Sequence, residues 1–318
     1  MALRGAGDSA LRPIRLVRIA HVYYTHKDIE KAREFLQDFG FQEARRVGKS
    51  TYYSGTGPDP FVYCAREGDE DEFGGAAFVV ESIEELEYAS KTLPDATEVY
   101  KLDEAPGGGY CVTFKDPVDG FPFHLVCGQD ANTASALPQL RYNFAMTLLM
   151  LIGYLAAPAP VHKLGHFGMC VTDFAKAFDF YTTRFNFVPS DLVHDPSGKD
   201  ITTFLHLDRG AELVDHHCFF FFEGPKSHVH HSSYETHDFD TQLLGHHWLR
   251  EKGYENCWGV GRHVMGSQIF DYWFDTSRFI MEHYIDGDLV NNEHTTHRSL
   301  ASKDSLHVWG MPHCHKVF

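Results

Sequence analysis

The feature that most constrains how this chain can fold is that it repeats itself. Laid over one another, residues 19–36 (IAHVYYTHKDIEKAREFL) and 164–181 (LGHFGMCVTDFAKAFDFY) match at a constant offset of 145. His21 falls on His166, Asp28 on Asp173, Lys31 on Lys176, Ala32 on Ala177 and Phe35 on Phe180. One residue of extra spacing then brings Phe39, Gly40 and Phe41 onto Phe185, Asn186 and Phe187. Each copy reads as a strand that ends near a turn, followed by a helix opened by an aspartate. At slightly larger offsets Gly75, Ala76, Ala77 and Phe78 align with His231, Ser232, Ser233 and Tyr234, and a helix-like stretch follows each (83–93 and 239–249). Near the end of each copy Phe121, Pro122, Phe123 and His124 meet Phe279, Ile280, Met281 and Glu282. Several short strands with a helix after some of them describe an α+β module used twice. The copies span 14–130 and 162–290, a connector fills 131–161, and 291–318 reads as a tail lying over a domain.

The 318 residues suit about two domains at roughly 150 residues each. The connector holds a run without a charged side chain, 142–161, which has the length of a membrane span. Asn143, Thr147, Tyr154 and two prolines interrupt it, and a span would put the two repeats on opposite sides of a bilayer. A buried or interdomain helix is therefore expected. A formal net charge of −16 repels phosphate backbones and anionic lipid, so nucleic acid and membrane surfaces are poor partners. The seven scattered cysteines form no C-x-x-C pair, which points to a reducing compartment rather than a disulfide framework. The N-terminus lacks the apolar core of a secretory signal; four arginines before residue 20 leave mitochondrial targeting as the alternative to the expected cytoplasmic location.

The chain carries 22 histidines, so any single histidine match is cheap, and the repeat is what sharpens the choice. At the three aligned strand positions the second copy has His166, His231 and Glu282, whereas the first has His21, Gly75 and His124. Two neutral imidazoles and one carboxylate make a facial triad that leaves positions on an iron(II) ion open. Only the second copy has the full set, because Gly75 offers no side-chain ligand. In RFIMEHYI, Ile280, Glu282 and Tyr284 share one strand face, and a glutamate in so apolar a run is costly to bury unless paired or metal-bound. His230 rivals His231, since adjacent strand residues point to opposite faces; the repeat selects His231.

The segments KLGHFGMCVTD, FLHLDRGAELVDHH, HVHHSSYETHDFD, GRHVMGSQIFDYWFD and FIMEHY resemble the catalytic domain of type I extradiol dioxygenases of the vicinal oxygen chelate superfamily. The first copy resembles that family's metal-free N-terminal domain, so the likeness covers about 14–290. It implies two tandem domains, each a pair of βαβββ modules forming an incomplete barrel, with Fe(II), or alternatively Mn(II), at His166, His231 and Glu282. It further implies cleavage of a catechol by O2 beside its two hydroxyls, in aromatic compound catabolism, by a homo-oligomer. By motif, His216 matches the family's acid–base histidine, with His217 as the alternative, and His263 and Tyr272 match the residues that contact the substrate hydroxyls. The uncharged connector departs from the more polar segment expected in such relatives. Three rival readings share the superfamily: a glyoxalase-like isomerase or lyase, a 4-hydroxyphenylpyruvate-type dioxygenase, and a non-enzymatic binding module of the bleomycin-resistance kind.

Overall fold

The computed structural model describes residues 11–132, 156–302 and 306–310. Of the uncharged connector run, residues 142–155 lie outside the described residues. Among the described residues, no helix is long and apolar enough to cross a membrane.

Each half of the chain builds one curled sheet. The first contains β1 (Leu16–His26), β2 (Gln42–Val47), β3 (Ser50–Ser54), β4 (Tyr63–Glu67), β5 (Glu72–Val80), β6 (Tyr100–Lys101), β7 (Tyr110–Lys115) and β8 (Pro122–Cys127). The second contains β9 (Leu164–Val171), β10 (Phe187–His194), β11 (Asp200–Leu207), β13 (Phe219–Glu223), β14 (His228–Glu235), β15 (Asn256–His263), β16 (Ile269–Phe274) and β17 (Ile280–Ile285). A small ribbon pairs β12 (Val214–Asp215) with β18 (Leu289–Val290). The strand order is 2-3-4-1-5-8-7-6 in the first sheet and 10-11-13-9-14-17-16-15 in the corresponding part of the second. In each half a strand, a helix and three further strands make one module, and the module's first strand runs parallel to its last. Two such modules meet antiparallel at the sheet centre, through β1 and β5 or β9 and β14.

Helices α1 (Ile29–Phe39), α2 (Ile83–Thr92), α3 (Phe174–Arg184) and α4 (Phe239–Glu251) supply the module helices. The aspartates that open the repeat helices act as caps: Asp28 accepts from the Lys31 amide and Asp173 from the Lys176 amide. The one-residue stagger between copies falls where α1 and α3 end. Gly40 ends α1 at φ 112°, where a Cβ would lie 1.8 Å from the Ala159 carbonyl, while Phe185 ends α3 in extended backbone.

The segment 291–318, expected to be a tail over a domain, instead contributes two edge strands. β19 (His297–Leu300) runs parallel to β10, and β20 (His307–Gly310) pairs antiparallel with β15. Such short, mostly exposed strands satisfy backbone groups at the sheet edges without showing a core-facing pattern.

One hydrophobic core runs through both halves, from Ile14 and Phe78 to Phe219 and Met281. Asp38 at the end of α1 accepts hydrogen bonds from Trp248 Nε1 (3.1 Å) and the Tyr254 hydroxyl (3.0 Å), which ties α1 to α4 and its following turn.

Candidate metal centre and its cavity

His166 lies on β9, His231 on β14 and Glu282 on β17, three neighbouring strands of the second sheet. Register brings them level. His166 and Glu282 both sit opposite Ser233, two residues along β14 from His231. The first half repeats this register, with His21 and His124 both opposite Ala77, two residues along β5 from Gly75. The sequence repeat therefore corresponds to equivalent places in the two sheets.

Side chains on alternate positions of a strand face opposite ways, so the residue beside each triad member points toward the first half. Phe167 stacks on Phe219 and approaches Phe73 and Phe78. Ser232 accepts from the Tyr24 hydroxyl at 3.3 Å. The ring of His283 packs on Phe39, and its Nε2 donates to the Phe39 carbonyl at 2.7 Å. The first half thus buttresses all three strands from behind.

In front, the donor atoms converge. His166 Nε2 lies 3.1 Å from both His231 Nε2 and Glu282 Oε2, and His231 Nε2 is 3.3 Å from the same oxygen. All three residues are buried, Glu282 fully so. Both Glu282 oxygens lack a hydrogen-bond partner. Buried polar atoms are nearly always paired, so lone pairs aimed at one point with no donor between them fit a cation. Burial lowers the His231 pKa to about 4, against the opposing pull of Glu282, which leaves its imidazole neutral as a ligand requires. For Glu282 burial acts upward against the downward pull of the facing imidazoles of His166, His231 and His263. Among the described residues, these three are the group placed to share a metal ion.

The corresponding histidines of the first half are otherwise engaged. His21 Nε2 bonds the Tyr23 hydroxyl at 3.0 Å, and His124 contacts the Gly74 carbonyl (2.9 Å) and the Thr113 hydroxyl (2.8 Å). Gly75, at φ 107°, leaves no room for a ligating side chain: a Cβ there would lie 2.4 Å from the Pro122 carbonyl oxygen and 2.9 Å from His124 Nε2.

His166 and His231 of the triad border a cavity of about 210 Å³. Its walls are largely apolar, with Phe204, Phe220, Met265 and Leu306 among them, and His217, His263 and Tyr272 supply polar groups. His263 Nδ1 lies 2.8 Å from the Leu306 carbonyl, which can only accept, so that nitrogen carries the hydrogen. In the neutral ring Nε2 is then an acceptor, and it receives the Tyr272 hydroxyl at 2.8 Å. Burial, reinforced by the nearby Glu282 charge, raises the Tyr272 pKa well above the ordinary phenol value.

His216 and His217 stand differently from the order the motif gave them. His217 lines the triad's cavity, its ring centroid 4.3 Å from that of His166. His216 faces away into a second hollow, with Nε2 3.0 Å from Asp191 Oδ2. The two rings touch, Nδ1 to Nδ1 at 3.2 Å, but only that of His217 lies beside a metal ligand. Sequence reasoning also passed over Asp191, whose only signal is a carboxylate in the strand FVPSDLVH. It also passed over the wall formed by Ala301, Ser302 and Leu306, in a segment set aside as a tail.

Comparison with known proteins agrees with this architecture. Residues 163–279 match the family model of the Glyoxalase/Bleomycin resistance protein/Dioxygenase superfamily. Metapyrocatechase 2 of Cupriavidus necator is 28% identical over 149 residues, a stretch that covers 46% of this chain and 44% of that protein. The chain therefore matches less than half the length of this curated relative. Among solved structures, a Mn(II)-bound glyoxalase from Novosphingobium aromaticivorans superposes with a TM-score of 0.80 at 21% identity, covering 96% of this chain and 94% of that one. Homoprotocatechuate 2,3-dioxygenase from Arthrobacter globiformis gives 0.80 at 18% identity, covering 97% and 92%. The Brevibacterium fuscum enzyme of that name, in complex with 3,4-dihydroxyphenylacetate, gives 0.79 at 16% identity over the same shares. Residues 163–279 thus match the family model of the Glyoxalase/Bleomycin resistance protein/Dioxygenase superfamily, and the chain as a whole shares the fold of these solved structures.

Proposed function

We propose that this chain is a metal-dependent extradiol dioxygenase that opens a catechol ring with O2, using iron(II), or alternatively manganese(II), at His166, His231 and Glu282. The observation that carries the reading is the joining of that triad to His217 and to the His263–Tyr272 pair around one apolar cavity. The relatives named metapyrocatechase and homoprotocatechuate 2,3-dioxygenase support it at the level of reaction class. On this reading the domain spanning 14–130 is a metal-free buttress. The metal-bearing domain spans 162–290 and is extended by the two edge strands.

A divalent ion held there supplies a Lewis acid for the two catechol oxygens and a route for electrons from the ring to O2. The chain's own residues position the ring and manage protons. Because the Tyr272 hydroxyl donates to His263, its oxygen is left with lone pairs for a catechol hydroxyl to donate into. Glu282 adds the negative charge that balances the metal. His217, kept neutral mainly by burial and further by the neighbouring His166 and His216, is placed to take a proton from one side of the substrate and return it later. The walls of Phe204, Phe220, Met265 and Leu306 favour an aromatic ring and exclude water.

A glyoxalase-like reaction in the same cup is the second reading, favoured by the likeness to the Mn(II)-bound glyoxalase. Oxygen uptake by anaerobically iron-loaded protein across a panel of substituted catechols separates the two. Uptake with a yellow product that loses its colour on acidification is the expected result. One bound metal per chain with no oxygen consumed would overturn the dioxygenase reading, and no bound metal would overturn both.

A further inference from the structure

Among the buried ionisable groups to which the proposed reaction gives no task are Asp191 and His216. Asp191 sits on β10 and is 4% exposed. Its Oδ2 lies 3.0 Å from His216 Nε2 and its Oδ1 3.0 Å from Nδ1 of His297, a mostly exposed residue of β19. His216 Nδ1 lies 3.2 Å from His217 Nδ1. A row of three groups thus leads from the edge of the sheet to the ring that faces the metal ligands.

Hydrogen-bond logic sets the direction of this row. Burial raises the Asp191 carboxyl, but the bonds from His216 and His297 outweigh it and hold it below its ordinary value. As a carboxylate it only accepts, so His216 must present Nε2–H to it. His216 is 5% exposed and lies among the rings of His217 and His294. In the neutral ring that leaves Nδ1 bare, and the hydrogen in the 3.2 Å contact comes from His217 Nδ1. The nitrogen left for the cavity, His217 Nε2, carries a lone pair.

We propose that Asp191, acting through His216, is a positioning residue that fixes His217 as its Nδ1–H tautomer and so presents a bare Nε2 to the cavity. This rests on the reading of His217 as the acid–base group. A carboxylate that orders an active-site imidazole through one hydrogen bond is familiar from the Ser-His-Asp triad; here a second imidazole is interposed.

The test is the ring-nitrogen tautomer of His217, read from two-bond nitrogen–proton spectra of the metal-free chain at neutral pH, with His217→Gln used for assignment. Wild type should show Nδ1–H. His216→Phe removes the acceptor and should switch the ring to Nε2–H. His216→Asn, whose side-chain oxygen can replace the imidazole nitrogen, should restore Nδ1–H. In the iron-loaded enzyme His216→Phe should lower kcat about 10–100-fold, the range for losing a group that orients a site residue, with iron content and KM near wild type. His216→Asn should recover most of that loss. Nε2–H in the wild type would overturn the proposal, as would an unchanged kcat in His216→Phe. Should His216→Phe fail to fold, Asp191→Asn carries the same test: it should lower kcat with KM retained, and an unchanged kcat would refute the link. The expected tautomers in a chain that cleaves no catechol would support the positioning of His217 and count against the reaction instead.

Discussion

Replacing Glu282 with glutamine should stabilise the metal-free protein and destabilise the metal-loaded one. Without a cation the Glu282 carboxylate is fully buried and neither oxygen has a hydrogen-bond partner. His263 Nε2 already accepts from Tyr272, and burial keeps His231 uncharged at neutral pH. Turning a poorly paired buried charge into a neutral amide of the same shape removes a desolvation cost, and exchanges of this type gain about 1–4 kcal/mol. In a chain this long, each kcal/mol is worth roughly 2 °C in Tm, so Glu282→Gln in chelator should melt about 2–8 °C above wild type. With metal the order reverses. A ligand at 100 times its Kd adds about 2.7 kcal/mol to the form that binds it, and the variant, lacking the anionic ligand, should gain almost none of this. The assay is thermal unfolding of both proteins with chelator and then with iron(II) under anaerobic conditions. Two melting curves that cross between the conditions are expected. A variant that melts below wild type in chelator would show that the carboxylate is held by its imidazoles as a structural ion pair, and would refute the reasoning.

Other consequences can be checked independently. His217→Phe should retain the metal while oxygen uptake falls by about 10²–10⁴-fold, the range for losing a general acid–base group; loss of metal would remove His217 from that role. His21→Ala and His124→Ala should leave metal content at wild-type levels, and a large fall by metal analysis would place an ion in the first half as well. Burial lowers His26 and His124 to about 4, well below the roughly 6.5 of an unfolded histidine. Between those values the unfolded chain binds more protons, so this stability is complete above about pH 6.5 and is lost as pH falls toward 4. Urea midpoints should drop steadily from pH 7 to pH 5, and a flat profile would contradict it. Asp38→Ala strips the acceptor from Trp248 Nε1 and Tyr254, at a cost of about 2–4 kcal/mol in urea unfolding. Because one core runs through both halves, the loss should move a single transition rather than split it.

The parts that were legible in the sequence share a cause. His166, His231 and Glu282 belong to a duplicated register, and a duplication turns three unremarkable positions into an alignment with a built-in comparison. Asp28 and Asp173 were readable because an N-cap is a local device that needs only its own helix. The choice between His216 and His217 was not readable, since the side each side chain takes depends on how the segment between β12 and β13 is pinned from afar. The His216 amide, for instance, donates to the Asp288 carbonyl at 3.0 Å. The edge strands His297–Leu300 and His307–Gly310 pair with backbone and display no alternation of their own. Residues 142–155 of the uncharged connector run lie outside the described residues, and comparing the solubility and activity of the intact chain with those of a 145–157 replacement tests that run.

The crowded backbone at Gly75 has a consequence for how such a molecule can change. Restoring a metal centre in the first half would require a side chain where φ is 107° and the Pro122 carbonyl stands in the way. It would also require releasing His124 from Gly74 and Thr113, and His21 from Tyr23. Each step alone costs stability and yields no ligand set, so no single substitution is rewarded on the way. The two halves are therefore locked into a division of labour, and a second centre would be more readily acquired by duplicating the working half again than by repairing the silent one.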